Sequence, residues 1–157
     1  MAGRRNLRRC HTPVPRSSRP CENRGVATFY DIDRANERLD ELRPALEQLR
    51  ADRKAVAAAQ HDLESLRRSN GSRAHAEEVT SKETALHEIV RRMEATVARI
   101  DEWSITLRDI ETGLVDFPAL ASGRQIWLCW RLGEPAVAWW HELTTGVAGR
   151  RPLIDLD

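Results

Sequence analysis

Lysine is nearly missing from this chain: of its 25 basic residues, only Lys54 and Lys82 are lysine. An arginine bias of this kind is a compositional mark of GC-rich bacterial genomes. Long apolar runs are missing too. No stretch approaches the ~18 residues of a membrane helix, so no membrane association is expected. The basic start, with Arg4, Arg5, Arg8 and Arg9, is followed by Cys10-His11-Thr12-Pro13-Val14-Pro15. That segment cannot form the apolar core of a signal peptide, although an Arg-rich, acid-poor start also fits an organelle transit peptide. Cysteine is scarce and odd in number (Cys10, Cys21, Cys129), which excludes a disulfide framework and favours a reducing cytoplasm. Phenylalanine and tyrosine together number three, yet there are five tryptophans. Neither sign of charge prevails, with 25 basic against 24 acidic residues, so whole-chain charge points neither toward nucleic acid nor away from it. A catalytic motif of known mechanism is also lacking, which leans against an enzyme.

The charge balance hides an asymmetry. Residues 1–27 carry seven Arg and one Glu, net +6, and the remainder is net −5. With three prolines and almost no large apolar side chains, residues 1–27 cannot offset the entropy of ordering, so they are expected to be disordered. One reading is a basic arm for RNA or for an acidic partner. The preferred one is an unselected extension, with Val26 as an alternative start. Cys10, His11 and Cys21 match no closed metal site.

From Phe29 onward a folded domain is expected over residues 28–157. Asp31 is a candidate N-cap, and Asp33 suits the first turn of a helix. Ile32, Ala35, Leu39, Leu42, Leu46, Leu49, Val56 and Leu63 recur in steps of three and four, with Arg53 and Gln60 in two intervening slots. That is the spacing of one helix face packed in a coiled-coil manner. Pro44 interrupts it and predicts a short helix to about Leu42, a kink, and a long helix to about Arg68. Ser69-Asn70-Gly71-Ser72 reads as a tight loop. A second stripe follows, Val79, Leu86, Ile89, Met93, Ile100 and Trp103, widened by Val90 and Val97. Two stripes of matched length predict an antiparallel helical hairpin over about 31–103.

Beyond Trp103 the period shortens. Residues 105–110 read as a strand, with prolongation of the second helix as the alternative. Residues 114–120 form a second run whose Pro118 suits an edge or a strand end. Residues 125–131 form a strong strand, and 136–142 its hairpin partner across Gly133-Glu134-Pro135. The expected fold is α+β: a helical hairpin capped by an antiparallel β-meander over about 105–142, with a C-terminal loop at 143–157.

Four tryptophans fall between residues 127 and 140. Alternation places Trp127, Cys129 and Arg131 on one face of their strand and Ile126, Leu128 and Trp130 on the other. In the partner strand, Val137, Trp139 and His141 share a face, opposite Ala138, Trp140 and Glu142. Tryptophan on both faces implies that both are covered. Asp116, between Val115 and Phe117, must face water or be paired, with Arg131, Arg124 or Arg150 as partner. Asp116, Arg131, Glu134, His141 and Glu142, with Trp127 and Trp140, are therefore candidate lining of a pocket. Cys129 and His141 are metal-ligand types, but the simplest hairpin register puts them on opposite faces. That argues against a metal site and against a Cys–His nucleophile, and no cofactor is expected. Gly146 and Gly149 form no phosphate fingerprint; they suit a loop folding back over the sheet.

Residues 113–118 (Gly-Leu-Val-Asp-Phe-Pro) and 128–134 (Leu-Cys-Trp-Arg-Leu-Gly-Glu) come first in a wider pattern. With Trp140-His141-Glu142, Gly149-Arg150, Phe29 and Ala35-Asn36, they resemble the bacterial and archaeal domain of unknown function 2203 family. The resemblance covers about residues 28–154 and departs from the family pattern at Asp40 and near Val147. It implies fold and boundaries, and no activity. The functional expectation is a small cytoplasmic binding or assembly module without catalysis of its own, self-associating through its helices because Val90 and Val97 lack cover. The alternatives are a ligand-binding protein or enzyme with a pocket on the Trp-rich sheet, and RNA binding through the basic arm, which the acidic remainder disfavours.

Overall fold

The computed structural model describes residues 28–68 and 73–156. The expected basic arm at 1–27 and the loop at 69–72 lie outside the described residues. Helix α1 spans Ile32–Arg68 and α2 spans Arg73–Glu102. Five strands follow, β1 Thr106–Asp109, β2 Leu114–Ala121, β3 Arg124–Arg131, β4 Trp139–His141 and β5 Arg151–Pro152. They form one sheet in the order β1-β2-β3-β4-β5 with every neighbouring pair antiparallel. The protein is thus α+β, a helical hairpin followed by a β-meander. Among the described residues, no helix is long and apolar enough to cross a membrane.

Asp31 caps α1 as its position suggests, its Oδ1 accepting from the Arg34 N–H at 2.8 Å. The expected break near Leu42 does not occur, and α1 runs through Pro44 as one helix. Two observations explain this. Leu39, Leu42, Leu46 and Leu49 are all buried in one core, so packing holds both sides of the proline in one helix. Pro44 and Asp40 are both exposed, which leaves the disturbed turn to be hydrated. At the far end of the hairpin, α2 stops where Ser104 adopts φ 60°. Ser104 N–H donates to Asp101 O and Ile105 N–H to Ile100 O, the paired bonds of a Schellman ending. This termination selects the strand reading for the segment after Trp103 over a longer helix.

The core lies between the first half of α1 and one face of the sheet. Ala35, Leu39, Leu42, Leu46 and Leu49 meet Val115, Phe117, Ile126, Leu128, Trp130 and Trp140, with Ile100 and Ile105 at the junction. Pro118 is accommodated in a particular way. β1 reaches only to Asp116, so the next stretch of β2 is free on that edge. Tyr30 takes the place of β1 there, its N–H donating to Pro118 O at 2.8 Å. Pro118 needs no N–H on an edge that uses only its carbonyl. At the β1–β2 turn, Gly113 combines φ +64° with an approach in which a Cβ would meet Leu132 Cβ at 2.6 Å, so glycine is required there. The expected C-terminal loop contains an additional short strand, β5, which pairs with β4.

The hairpin seam differs in one respect from the expected stripe. Asp52, not Arg53, turns inward, and it receives Arg92 Nε at 2.9 Å and Gln48 Nε2 at 2.9 Å. Arg92 and Gln48 hold the Asp52 carboxyl below the usual carboxylate range against the opposing effect of burial. Arg53 instead reaches Glu111 on the turn beyond β1. Nearer the loop, Arg67 pairs with Glu83. Ile32 opens the predicted stripe but is exposed.

Because α1 is continuous, Pro44 costs helix energy without ending a helix. Pro44→Ala should raise stability in urea by about 1–3 kcal/mol. A loss of stability would show that the path of α1 over the sheet depends on the proline.

Candidate functional site

The outer face of the sheet, away from α1, carries the polar chemistry. The observed register pairs Asp116 with Cys129, Cys129 with Trp139, and Trp127 with His141. These residues therefore share one face. The expected separation of Cys129 from His141 is overturned. Their pairing is one residue away from the simplest two-residue turn, and a one-residue change moves every side chain to the other face. β4 is also shorter than the expected 136–142, and residues 132–138 lead into it as a loop.

Asp116, Cys129 and His141 lie together, with one ligand atom from each within 4.8 Å of the other two. Asp116 and Cys129 have no exposed surface and His141 is 1% exposed. Arg108 Nε donates to Asp116 Oδ2 at 2.6 Å, while His141 Nε2 lies 3.1 Å from the same oxygen. Asp116 Oδ1 is buried without a hydrogen-bond partner. On the other side of the imidazole, Nδ1 lies 2.8 Å from the Glu142 carbonyl oxygen. Arg108 occupies an irregularity in the β1–β2 pairing between Leu107 and Asp109. Such a bulge re-aims a side chain, here across to Asp116. None of the arginines expected to pair with Asp116 does so.

The remaining site residues take different places. Glu134 Oε1 and Oε2 both accept from Arg150 Nη2 at 2.8 Å, and Oε2 also caps the Arg131 N–H. Arg150 Nη2 further approaches Cys129 O at 3.4 Å. The Arg131 side chain is exposed, and Glu142 pairs with Arg124 at 2.5 Å. Trp140 lies in the core on the opposite face. Trp127 stays on the outer face beneath the Arg108 guanidinium, 5.1 Å from the ring centroid, and Trp139 lies likewise beneath Arg150 at 5.1 Å. These contacts cover the outer face with the chain's own arginines. The structure thus assembles Asp116, Cys129 and His141, adds Arg108, and draws Glu134 near through Arg150.

A family model described as "Uncharacterized conserved protein (DUF2203)" matches residues 28–153. The chain belongs to that family. Its description assigns no activity, so the chemistry of the family fold here rests on the residues themselves. No curated protein and no solved structure matches the chain at a significant level.

The cluster can hold a cation, because three ligand types converge on one sealed point. It is poorly set for a nucleophile. Burial, reinforced by the negative charge of Asp116, pushes the Cys129 thiol up to about 12. A thiol raised in this way is protonated at neutral pH. The charged form is the one the fold disfavours. The preference for the neutral thiol therefore contributes fully to stability below the unfolded value of 9.0 and is lost as pH rises from there toward the folded value. An alkylating reagent at pH 8, followed by mass mapping, should label Cys129 only as fast as the protein unfolds. Rapid labelling of Cys129 in the native protein would contradict this account.

Proposed function

We propose that this family member is a binding and assembly module of the reducing cytoplasm that works as a homodimer of helical hairpins, without catalysis of its own. The observation that carries this reading is the unequal cover of the two helices. α1 buries seven residues over its length, whereas α2 buries only Ile100. Val90 and Met93 stay half-buried and Val97 is 37% exposed. Together with Val56, Ile100, Ile105 and Leu107 they line an apolar groove of about 690 Å3.

A second copy suits this groove better than a small polar ligand. Its lining is aliphatic, with Glu94 and Asp101 as its charged members. α2 has 30 residues and a length of about 45 Å. Two such helices laid side by side bury on the order of 1,000 Å2, at the lower end of specific interfaces. A free, buried Cys129 accords with a reducing compartment. RNA binding would rest on residues 1–27, which lie outside the described residues.

Sedimentation equilibrium tests the dimer. The wild-type chain should sediment as a dimer at micromolar concentration. Val97→Asp alone, and with Val90→Asp, should give a folded monomer with unchanged far-ultraviolet circular dichroism. A wild-type monomer at high concentration would overturn the dimer, and binding of an apolar dye by that monomer would assign the groove to a small ligand.

A further inference from the structure

We propose that Asp116, Cys129 and His141 form a site for a single divalent zinc-class metal ion, with Arg108 as the resident cation that the metal displaces. Three features of the geometry point to it independently of the dimer.

The first concerns the imidazole. Both of its nitrogens face oxygen acceptors, the Glu142 carbonyl and the Asp116 carboxylate. If Nδ1 carries its proton toward the carbonyl, the Nε2 lone pair points at Oδ2, 3.1 Å away. Two acceptors at that separation need a proton or a metal between them. A backbone carbonyl that fixes Nδ1–H and leaves Nε2 free is the usual outer-shell arrangement of a metal-bound histidine.

The second concerns distances. Bonds of about 2.0–2.1 Å at a tetrahedral angle set nitrogen and oxygen ligands about 3.3 Å apart, and a thiolate about 3.6 Å from either. The Asp116–His141 separation of 3.1 Å already fits. The limit of 4.8 Å across the whole cluster calls for closure by about an ångström, within reach of a side-chain adjustment at Cys129.

The third is the orphaned atom. Asp116 Oδ1 is fully buried with no hydrogen-bond partner, although a buried carboxylate oxygen costs free energy when unmatched. The Cys129 thiol is the weak donor beside this carboxylate, and a metal would take the place of the thiol proton. A thiolate, an imidazole and a carboxylate together select a borderline-soft ion such as zinc over magnesium or calcium. Metal binding forms the sulfur–metal bond and releases the thiol proton to solvent.

The test uses the full chain carrying Cys10→Ser and Cys21→Ser, so that Cys129 is the sole thiol. Stripped of metal by chelator, it is titrated with cobalt(II) and then competed with zinc(II). The expected result is one equivalent of cobalt bound, with a near-ultraviolet thiolate-to-metal band and tetrahedral visible bands that zinc removes. Cys129→Ser should abolish the thiolate band. Arg108→Gln touches no proposed sulfur or nitrogen ligand and removes the competing guanidinium, so it should bind cobalt at least tenfold more tightly. A folded chain that shows no thiolate band, or an Arg108→Gln affinity equal to or weaker than the parent, overturns the proposal.

Discussion

A carboxylate denied water must be matched by positive charge or by hydrogen-bond donors, and the outer face of this sheet is arranged around that constraint. Asp116 has no exposed surface, and it sits in the second strand, paired to β1 on one side and β3 on the other. Arg108 reaches it through the irregular pairing of β1, and His141 reaches it from β4. A single side chain thus ties three strands whose backbone order is already fixed by the ladder. Removing Arg108 would take away the formal cation that matches this buried charge. The same constraint keeps Cys129 a neutral thiol, because the adjacent carboxylate and the lack of water both oppose a second negative charge.

The opposite face of the sheet follows a different rule. Trp130, Trp140, Phe117 and Leu128 meet the leucine stripe of α1, and apolar packing alone decides the arrangement. That packing is strong enough to carry α1 through Pro44 without ending the helix. It uses the first half of α1 and leaves the hairpin beyond Leu49 to a narrower seam, where Asp52 and Arg92 replace leucine pairs. The apolar surplus of α2 is a consequence of this geometry. The sheet takes up α1 and leaves Val90, Met93 and Val97 along a groove at its edge.

Much of this architecture is legible in the residues. The stripes from Ala35 to Leu63 and from Val79 to Ile100 mark two helices, and Asp31 marks where the first begins. Alternation in residues 126–131 correctly separates Ile126, Leu128 and Trp130 from Trp127 and Cys129. The continuity of α1 was hidden because a proline reads as a local penalty, and the tertiary packing that outweighs it has no local signature. The cluster was hidden by register. Cys129 and His141 share a face only in the observed pairing, and side-chain alternation cannot distinguish registers one residue apart. Arg108 was missed for the same reason, since a bulge adds a residue that period-two reading does not count. Asp52 was missed because positions three and four after Leu49 both satisfy a helical stripe, and Arg53 occupies the second.

The central claim is that Asp116 and His141 face each other across a position that only a proton or a metal can fill. Nitrogen-15 NMR of the histidine side chains in the full chain, with His141 assigned, measures this directly. In the metal-free protein, a proton should lie between His141 Nε2 and Asp116 Oδ2, which are 3.1 Å apart. One equivalent of zinc should remove the Nε2 proton and shift that nitrogen, while Nδ1 keeps its bond to the Glu142 carbonyl. An Nε2 that carries no proton in the metal-free protein and does not respond to zinc would contradict the account.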